Sequence, residues 1–580
     1  MYTYIDPSKN NYPGLDRGFN QRYKLDSDLS DSNGEGVYLT YSASDITDVL
    51  NMLVGKYTID EITGKVRIIS GGHCYEDFTF QSQTGNANGT RYVIDLSNMR
   101  GISEETVNDV TYVTVEPGAS NWLIQQTLHS RYAVALPGGS CYSVCAGGHV
   151  AGGGYGLLSR LHGLTVDYLA GVEMVISDGA GGFTVRAFDP TDADQLNWAC
   201  RGGGAGHFGV ITKYYFEKNK VPPAPENALL ITLPVPWSQF INSDETVDGD
   251  AFNQFMQAYY IACQTLAPQA FTLGKFTFMT SADDVMSIVM QVVYGASSGH
   301  DAALGGNAVA AITRDEAVKA INDFAAALAP WVSMPQTSVY RGRSFQLIGH
   351  PVSATVSLDT IYDLPWIDMT QLLNGSGENQ NGKYKSSYIA GNFVLNESTA
   401  MAEFLTGTQV NNAVPVGADL SQTLIQIDSY GAQINAMDTD LTPLNTAIAA
   451  RNSILKTQYQ TYWKNYEDTS DPTTRETDIV TWFNAGYNNI HAQAQPLKSA
   501  PDNGYPLWGE KFQGCYFNYP DRQIGVNSGY KADPGDAYSG DFCELYYGTD
   551  VATKLKAIKA VIDPSNFFAF AQSIPLPEER

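Results

Sequence analysis

The stretch "LPGGSCYSVCAGGHVAGGGYG", residues 136–156, carries eight glycines in 21 positions and interleaves them with two cysteines and a histidine. Such a density raises the question of why a chain would set a histidine and cysteines among residues that have no side chain at all. What glycine offers instead is an uncovered backbone whose N–H groups can close on an anionic ligand with no Cβ in the way. Two further stretches share this character: "SGGHCYEDF" (70–78), directly after the apolar run Val66–Ile69, and "RGGGAGHFG" (201–209). Turns and tight packing are the plainer reading of any one of them. Three within the first 209 residues favour a ligand such as a dinucleotide. None leads from a strand into a helix as the GxGxxG fingerprint of a doubly wound nucleotide fold requires, so a different scaffold is expected.

Around these loops short strands alternate with short helices. "SASDITDVLNMLVGKY" (42–57) opens on capping residues and sets Ile46, Val49, Leu50 and Leu53 at helical spacing. "KVRIIS", "RYVIDLS", "TYVTVEPG" and "YAVALPGG" read as four strands between residues 65 and 139, with "NWLIQQTLHS" (121–130) as a helix. "VEMVISDGAGGFTVRAF" (172–188) reads as a hairpin. The composition changes at Pro222-Pro223-Ala224-Pro225, a candidate domain boundary. Beyond it the pattern predicts strands at 228–235, 274–281, 285–295 and 422–431. It predicts helices at 250–266, 314–331, 443–466 and 475–494, and a last helix ending at Asp563-Pro564. The fold class is therefore α+β, a sheet-plus-helices layer following a loop-rich first domain.

The 580 residues include 61 acids against 35 bases, a net charge of −26 that repels nucleic acid and anionic membrane surfaces. The start "MYTYIDP" has neither a basic region nor an apolar core, and the apolar run Ala228–Val235 is too short to span a bilayer. A soluble protein is expected, cytoplasmic by default, with secretion left open. Asn88, Asn374 and Asn396 head Asn-X-Ser/Thr triplets, which matter only in a secreted chain. Seven cysteines form no CxxC and eight histidines no HExxH, so neither a disulfide framework nor a metal site is expected.

His73 and Cys141 are the side chains of the glycine-rich loops that invite a chemical reading. A loop histidine bonded to a carbonyl and an inert packed cysteine are the ordinary alternatives. Taken together, however, "SGGHCYEDF", "LPGGSCYSVCAGGHVAGGGYG", "RLHGLTVDYL" (160–169) and "RGGGAGHFGVITKYYF" (201–216) resemble the FAD-binding domain of the berberine-bridge-enzyme-like flavoproteins, in the vanillyl-alcohol-oxidase superfamily. The resemblance implies FAD tethered twice, through His73 to the 8α-methyl and through Cys141, eight residues before His149, to C6. It further implies a cofactor cradle of Ser70, Gly71, Gly72, Cys74, Gly139, Val144, Gly147, Gly148, Gly152, Gly153, Gly156, Val210 and Asn518. Cys145 departs from the glycine usual in that family.

Further matches, "NGSGENQNGKYKSSY" (374–388), "LKTQYQTYW" (455–463) and "GCYFNYPD" (514–521), are similar to carbohydrate-oxidising members of the family. The family motif Tyr-x-Asn-Tyr stands here as Tyr516-Phe517-Asn518-Tyr519, which implies Tyr519 as catalytic base. An ordinary tyrosine, with pKa near ~10, is a poor base at neutral pH. The family's Gln-x-Asp pattern falls on Gln426-Ile427-Asp428, and strand alternation puts Gln426 and Asp428 on one face. An ionised carboxylate raises a neighbouring phenol's pKa, so Asp428 is expected to accept the proton of Tyr519 through a short hydrogen bond, the two titrating as a unit. Tyr75 is implied to stack on a sugar ring, with Gln426 and Tyr516 also touching substrate. Lys383 and Lys385 either line that cleft or sit in a solvated turn. Ala146 is implied to face the oxygen-reactive edge of the flavin, where a small residue admits O2.

The resemblance thus implies a two-domain flavoprotein. Residues 1–222, with 512–580 returning to them, would hold FAD, and residues 223–511 would present substrate on an antiparallel sheet backed by helices. The expected reaction is oxidation of the C1 hydroxyl of a hexose or oligosaccharide to the lactone, with O2 reduced to H2O2. The alternative is a tailoring oxidase acting on an alcohol or sugar of a secondary metabolite.

Overall fold

Three sheets carry the fold in the computed structural model, which describes residues 1–6, 18–20, 22, 36–76, 78–79, 92–295, 309–333, 338–340, 360–373, 380–436, 445–463, 472–499, 502–530, 532–535 and 538–577. The first has the order β1 (Thr3–Ile5), β2 (Gly36–Leu39), β4 (Tyr92–Asp95), β3 (Val66–Ile69), with the last three parallel. The second is antiparallel. It contains β5 (Ile102–Val107), β6 (Val110–Val115), β7 (Leu169–Ser177), β8 (Phe183–Arg186) and β9 (Val210–Glu217), in the order β5-β6-β9-β7-β8. β7 and β8 form the predicted hairpin around 178–182.

The third sheet has eight strands: β10 (Asn227–Pro236), β11 (Ala270–Thr277), β12 (Val285–Tyr294), β13 (Ser338–Tyr340), β14 (Thr360–Pro365), β15 (Asn381–Ile389), β16 (Leu424–Ser429) and β17 (Leu455–Trp463). Their order is β13-β14-β10-β12-β11-β16-β17-β15. Alternation gives the sheet two different faces. Leu229, Ile231, Leu233 and Val235 of β10 pack in one core with Phe252 and Phe255 of the helix Gly249–Gln264, Phe324 of Arg314–Ala327, Phe404 of Leu395–Thr406 and Phe483 of Pro472–Ala494. Each such side chain, fully buried, stabilises the fold by roughly 1.5–3 kcal/mol. Ala228 and Leu230, on the other face, pack on Leu158 and Leu161 of the loop-rich region, which is why β10 reads as apolar on both sides.

Arg160 ties that region to the sheet, donating to the carbonyls of Ala270 (3.0 Å) and Leu266 (2.6 Å). The C-terminal segment runs back across the first two sheets. Phe567 and Phe568 join the core of the helix Ala43–Lys56 and β4, and Arg67 of β3 donates to the carbonyl of Ala569 at 3.2 Å.

The structure corrects four sequence expectations. "YAVALPGG" is not a strand: Ala133 caps the helix Asn121–Tyr132 in a left-handed conformation (φ 55°), and only an isolated bridge joins Val134 to Pro223. The helix expected within 443–466 is replaced by β17, which stands next to the edge strand β15 of the large sheet. Strand β11 covers 270–277 rather than 274–281, shifting its register against the neighbouring strands. Lys383 and Lys385 occupy no solvated turn, since both are fully buried on β15. Of the Asn-X-Ser/Thr sites, Asn88 and Asn374 lie outside the described residues, and Asn396 is exposed in the helix Leu395–Thr406.

Candidate active site

A cavity of about 810 Å³ lies between the glycine-rich loops and the face of the eight-stranded sheet that carries Ala228 and Leu230. Residues 70–75, 139–141, 144–145 and 147–149 supply the loop side. Register fixes the sheet side, because residues opposite one another on neighbouring strands point the same way. Across β12, β11, β16 and β17, the row Ser287, Lys275, Gln426, Gln458 runs beside the row Val289, Leu273, Asp428, Lys456. A third row carries Leu424, Gln460 and Tyr384 across β16, β17 and β15.

The loop after β3 turns at Gly72, whose φ of 68° favours glycine, and presents His73 to the cavity. Phe19 stacks on the His73 ring at 4.8 Å, and Nε2 lies 2.9 Å from Ser143 Oγ. Burial lowers the His73 pKa to about 4, so the ring is neutral at pH 7 and keeps a lone pair. Cys141 lines the same cavity, its carbonyl accepting from Asn121 Nδ2 at 3.1 Å. Burial pushes the Cys145 thiol up to about 11, which holds it protonated.

The glycines divide by what surrounds them. A Cβ on Gly147 would stand 2.6 Å from Ser70 Oγ, and one on Gly152 or Gly156 would collide with Asn518 or the Gly138 carbonyl. Those glycines serve packing. Gly148 is different: it lines the cavity, and no protein atom stands within 4 Å of where its Cβ would be. The open space beside its backbone suits a close-lying cofactor such as FAD. His149 Nε2 accepts from the Gly139 N–H at 2.8 Å, and Asn518 Nδ2 donates to the His149 carbonyl at 3.1 Å.

Ser70, Gly71, Gly72, His73, Cys74, Tyr75, Gly139, Cys141, Val144, Gly147, Gly148, Gly156, Gln426, Asp428, Tyr516, Asn518 and Tyr519 all reach the cavity. Gly152, Gly153 and Val210 do not: Gly152 and Gly153 pack against Asn518 and Tyr516, and Val210 belongs to the core around β4. Ala146 is also absent from the wall, being wholly buried in the main core.

Tyr519 lies beside Tyr516, ring centroids 5.0 Å apart and nearly perpendicular, and 5.6 Å from Tyr75. Tyr75 stacks on Tyr384 at 3.6 Å, and Gln458 Nε2 donates to its hydroxyl at 3.4 Å. The expected Asp428–Tyr519 hydrogen bond is not formed. Asp428 instead accepts twice from Gln426 Nε2, at 2.9 and 3.1 Å, because neighbouring positions on one strand face hold the two side chains together. Burial raises the Asp428 pKa to about 6, against the pull of Lys456.

Lys456, which the sequence did not single out, completes this centre. Its Nζ lies 4.0 Å from the Tyr519 ring, 4.1 Å from Tyr155 and 4.3 Å from Tyr516, and among the described residues it has no hydrogen-bond partner. Burial lowers its pKa to about 7, opposed by Asp428. Burial, Tyr75 and Asp428 raise the Tyr519 phenol far above its usual value. The signal that would have found Lys456, Gln458 and Gln460 was the period-two pattern of "LKTQYQTYW", read earlier as helix.

A second charged cluster gathers around Lys383 of β15, the edge strand of the large sheet. Lys383 Nζ lies 2.8 Å from Asp521, 2.6 Å from Asp533 and closer still to Glu76, three carboxylates within 4.8 Å of one another. That spacing suits a cation, and the cation there is the Lys383 ammonium. Arg22 bonds Asp533 at 2.6 Å and Glu476 at 3.0 Å, and Lys385 pairs with Asp521. The cluster joins the residue after Tyr75 to the residue two beyond Tyr519.

Known proteins carry the same plan. The family model described as "FAD binding domain" matches residues 61–180, and "Berberine and berberine like" matches residues 515–575. Hexose oxidase from Chondrus crispus is 31% identical over 578 residues, 97% of this chain and 93% of that one. Aclacinomycin-N/aclacinomycin-A oxidase from Streptomyces galilaeus is 26% identical, covering 97% and 87%. The solved structure of glycopeptide hexose oxidase DBV29 complexed with teicoplanin superposes with a TM-score of 0.74 at 24% identity, covering 99% of each chain, and shares the fold. Among the described residues no helix is long and apolar enough to cross a membrane. With the α+β architecture, the glycine-lined cavity and a relative of this identity over nearly its whole length, the chain belongs to the berberine-bridge-enzyme-like family of FAD-dependent oxidoreductases.

Proposed function

We propose that the protein oxidises the C1 hydroxyl of a hexose or oligosaccharide to the lactone, with O2 as final acceptor and H2O2 as the second product. In this reading residues 1–222 and 512–580 hold FAD, tethered through His73 and Cys141, and residues 223–511 present the sugar. The bound flavin supplies the two-electron acceptor. The observation that carries the reading is the sheet face opposite the loops, where Gln426, Gln458 and Gln460 offer amides to sugar hydroxyls beside the Tyr75–Tyr384 stack.

Tyr519 takes the hydroxyl proton, and Lys456 makes that possible near neutrality. A neutral Tyr519 with a neutral Lys456 holds the same number of protons as a Tyr519 phenolate beside a Lys456 ammonium. The second form is a competent base, and an ammonium 4.0 Å from the ring stabilises it in a buried site. The pair reaches that protonation state once it has lost one proton, near the Lys456 value of about 7. Asp428, bonded to Gln426, holds positive charge on Lys456 rather than receiving the substrate proton.

Anaerobic mixing with glucose, galactose, lactose and cellobiose, followed by flavin absorbance, tests the reading. Bleaching by at least one is expected, with colour restored by air and peroxide formed. A flavin that stays oxidised with all four would shift the assignment to a secondary-metabolite alcohol or sugar, the alternative that the similarity to aclacinomycin oxidase favours.

A further inference from the structure

The cavity wall of this acidic chain is nearly free of acid. Asp428 is its single lining carboxylate among the described residues, and Asp428 is already engaged by Gln426 and faces Lys456 across the β16–β17 register. One strand further out, on β11, Lys275 lines the same cavity at its solvent-exposed edge; among the described residues it makes no ion pair or hydrogen bond, and its charge acts on Asp428, whose pKa it helps to lower. Its register partners are Gln426 on one side and Ser287 on the other, so all three point into the cavity. Ser287 lines the cavity too and makes no hydrogen bond within the described residues.

Thr232, on the next strand β10, adds an independent observation. It is 4% exposed, lines the cavity, and its buried Oγ1 has no hydrogen-bond partner among the described residues. A buried hydroxyl without a partner costs free energy unless something entering the cavity satisfies it. Thr232 opposes Val289, two residues from Ser287 on the same face of β12, which places it diagonally beside the Ser287–Lys275 pair, roughly 7–8 Å off in backbone spacing. One ammonium and two hydroxyls, none hydrogen-bonded among the described residues, thus lie on three successive strands along one side of the cavity. They are separated from Lys456 and Tyr519 by the Gln426–Asp428 strand.

We infer that Lys275, Ser287 and Thr232 form an anion subsite, and that the preferred substrate is a sugar bearing a carboxylate or sulfate group remote from the oxidised carbon. The inference rests on the carbohydrate reading above and narrows it. A neutral sugar would leave the Lys275 charge facing ring hydroxyls, whereas a carboxylate or sulfate oxygen accepts from the ammonium and from both hydroxyls. The net charge of −26 repels anions at a distance, so a local cation is what an acidic substrate requires at the point of binding.

The test uses the holoenzyme and anaerobic flavin reduction with galactose, galacturonate and galactose 6-sulfate, for the wild type, Lys275→Gln and Lys275→Arg. The wild type should favour at least one acidic sugar over galactose in kcat/KM. That ratio should fall about tenfold in Lys275→Gln, the loss of one hydrogen bond to a charged group, and be largely restored in Lys275→Arg. The two acidic sugars separate a carboxylate from a sulfate subsite. Oxidation of galactose with no acidic preference, or a preference that survives Lys275→Gln, overturns the subsite and leaves the carbohydrate reading standing. No reduction by neutral or acidic sugar removes both.

Discussion

Two buried lysine centres stand on neighbouring strands of one sheet and are treated in opposite ways. Lys383 on β15 is surrounded by Glu76, Asp521 and Asp533 and has an ion pair to each; burial would lower its pKa, but those carboxylates raise it well above the ordinary lysine value. Lys456 on β17 is equally buried yet faces three tyrosine rings, with no hydrogen bond among the described residues and the opposing Asp428 to hold its proton. Burial prevails there and brings it down to about 7. The first arrangement fixes a charge permanently. The second leaves a charge that can be shed within the physiological range, which is what a proton-handling centre needs and a structural tie does not.

The largest effect expected from this contrast is on stability. Lys383→Met would leave three carboxylates packed together without their central cation, and breaking a buried pair in this way costs about 3–5 kcal/mol. Urea unfolding of the holoenzyme should show that loss as a lower midpoint. A variant as stable as wild type would mean that the cluster takes up protons or a metal ion freely, and that its charge is not fixed.

The same contrast shows what could be read from sequence. The glycine-rich loops announced themselves because three of them recur within the first 209 residues, and the hairpin around 178–182 and the helix over 43–56 followed from ordinary turn and capping chemistry. Strand β17 did not. Its helix-facing side is Leu455, Thr457, Tyr459 and Thr461, and its cavity side is Lys456, Gln458 and Gln460, so the period-two alternation sets threonine and tyrosine against lysine and glutamine, a contrast weak enough to be passed over. The partners of a buried charge are invisible for a related reason: Glu76 and Asp521 lie 307 and 138 residues from Lys383 in the chain. The Gln426–Asp428 pair was legible because its geometry is local, and its relation to Tyr519 was not, because that depends on how far β16 stands from the C-terminal segment.

A smaller effect of a different kind is expected at the second lysine. Lys456→Met removes a cation that burial already disfavours, so unfolding should move by no more than about 1 kcal/mol. Flavin reduction should suffer instead. In the wild type the stopped-flow rate should rise with pH through an inflection near 7, as the Lys456–Tyr519 pair loses its proton. Without the ammonium the Tyr519 base form becomes available only toward ~10 or above, so the rate at pH 7 should fall about 100-fold and the inflection move up by several units. A Lys456→Met enzyme with an unmoved inflection would assign the titration elsewhere, with Asp428, at about 6, the next group to examine.

Asp428→Asn sharpens that assignment with the smallest change in rate. The carboxylate raises the pKa of Lys456 and also that of Tyr519, so removing it should ease proton loss from the pair and move the inflection below 7. The plateau rate should drop by about tenfold or less, because an amide at this position can still bond Gln426. The opposite reading, in which Asp428 accepts the Tyr519 proton, requires a far larger result: loss of the inflection and a fall of about 100-fold or more, the usual contribution of a removed general base. Direction and size of the shift therefore separate a carboxylate that tunes a neighbouring cation from one that carries the proton. The bonds from Gln426 to both Asp428 oxygens, and none from Tyr519, favour the first.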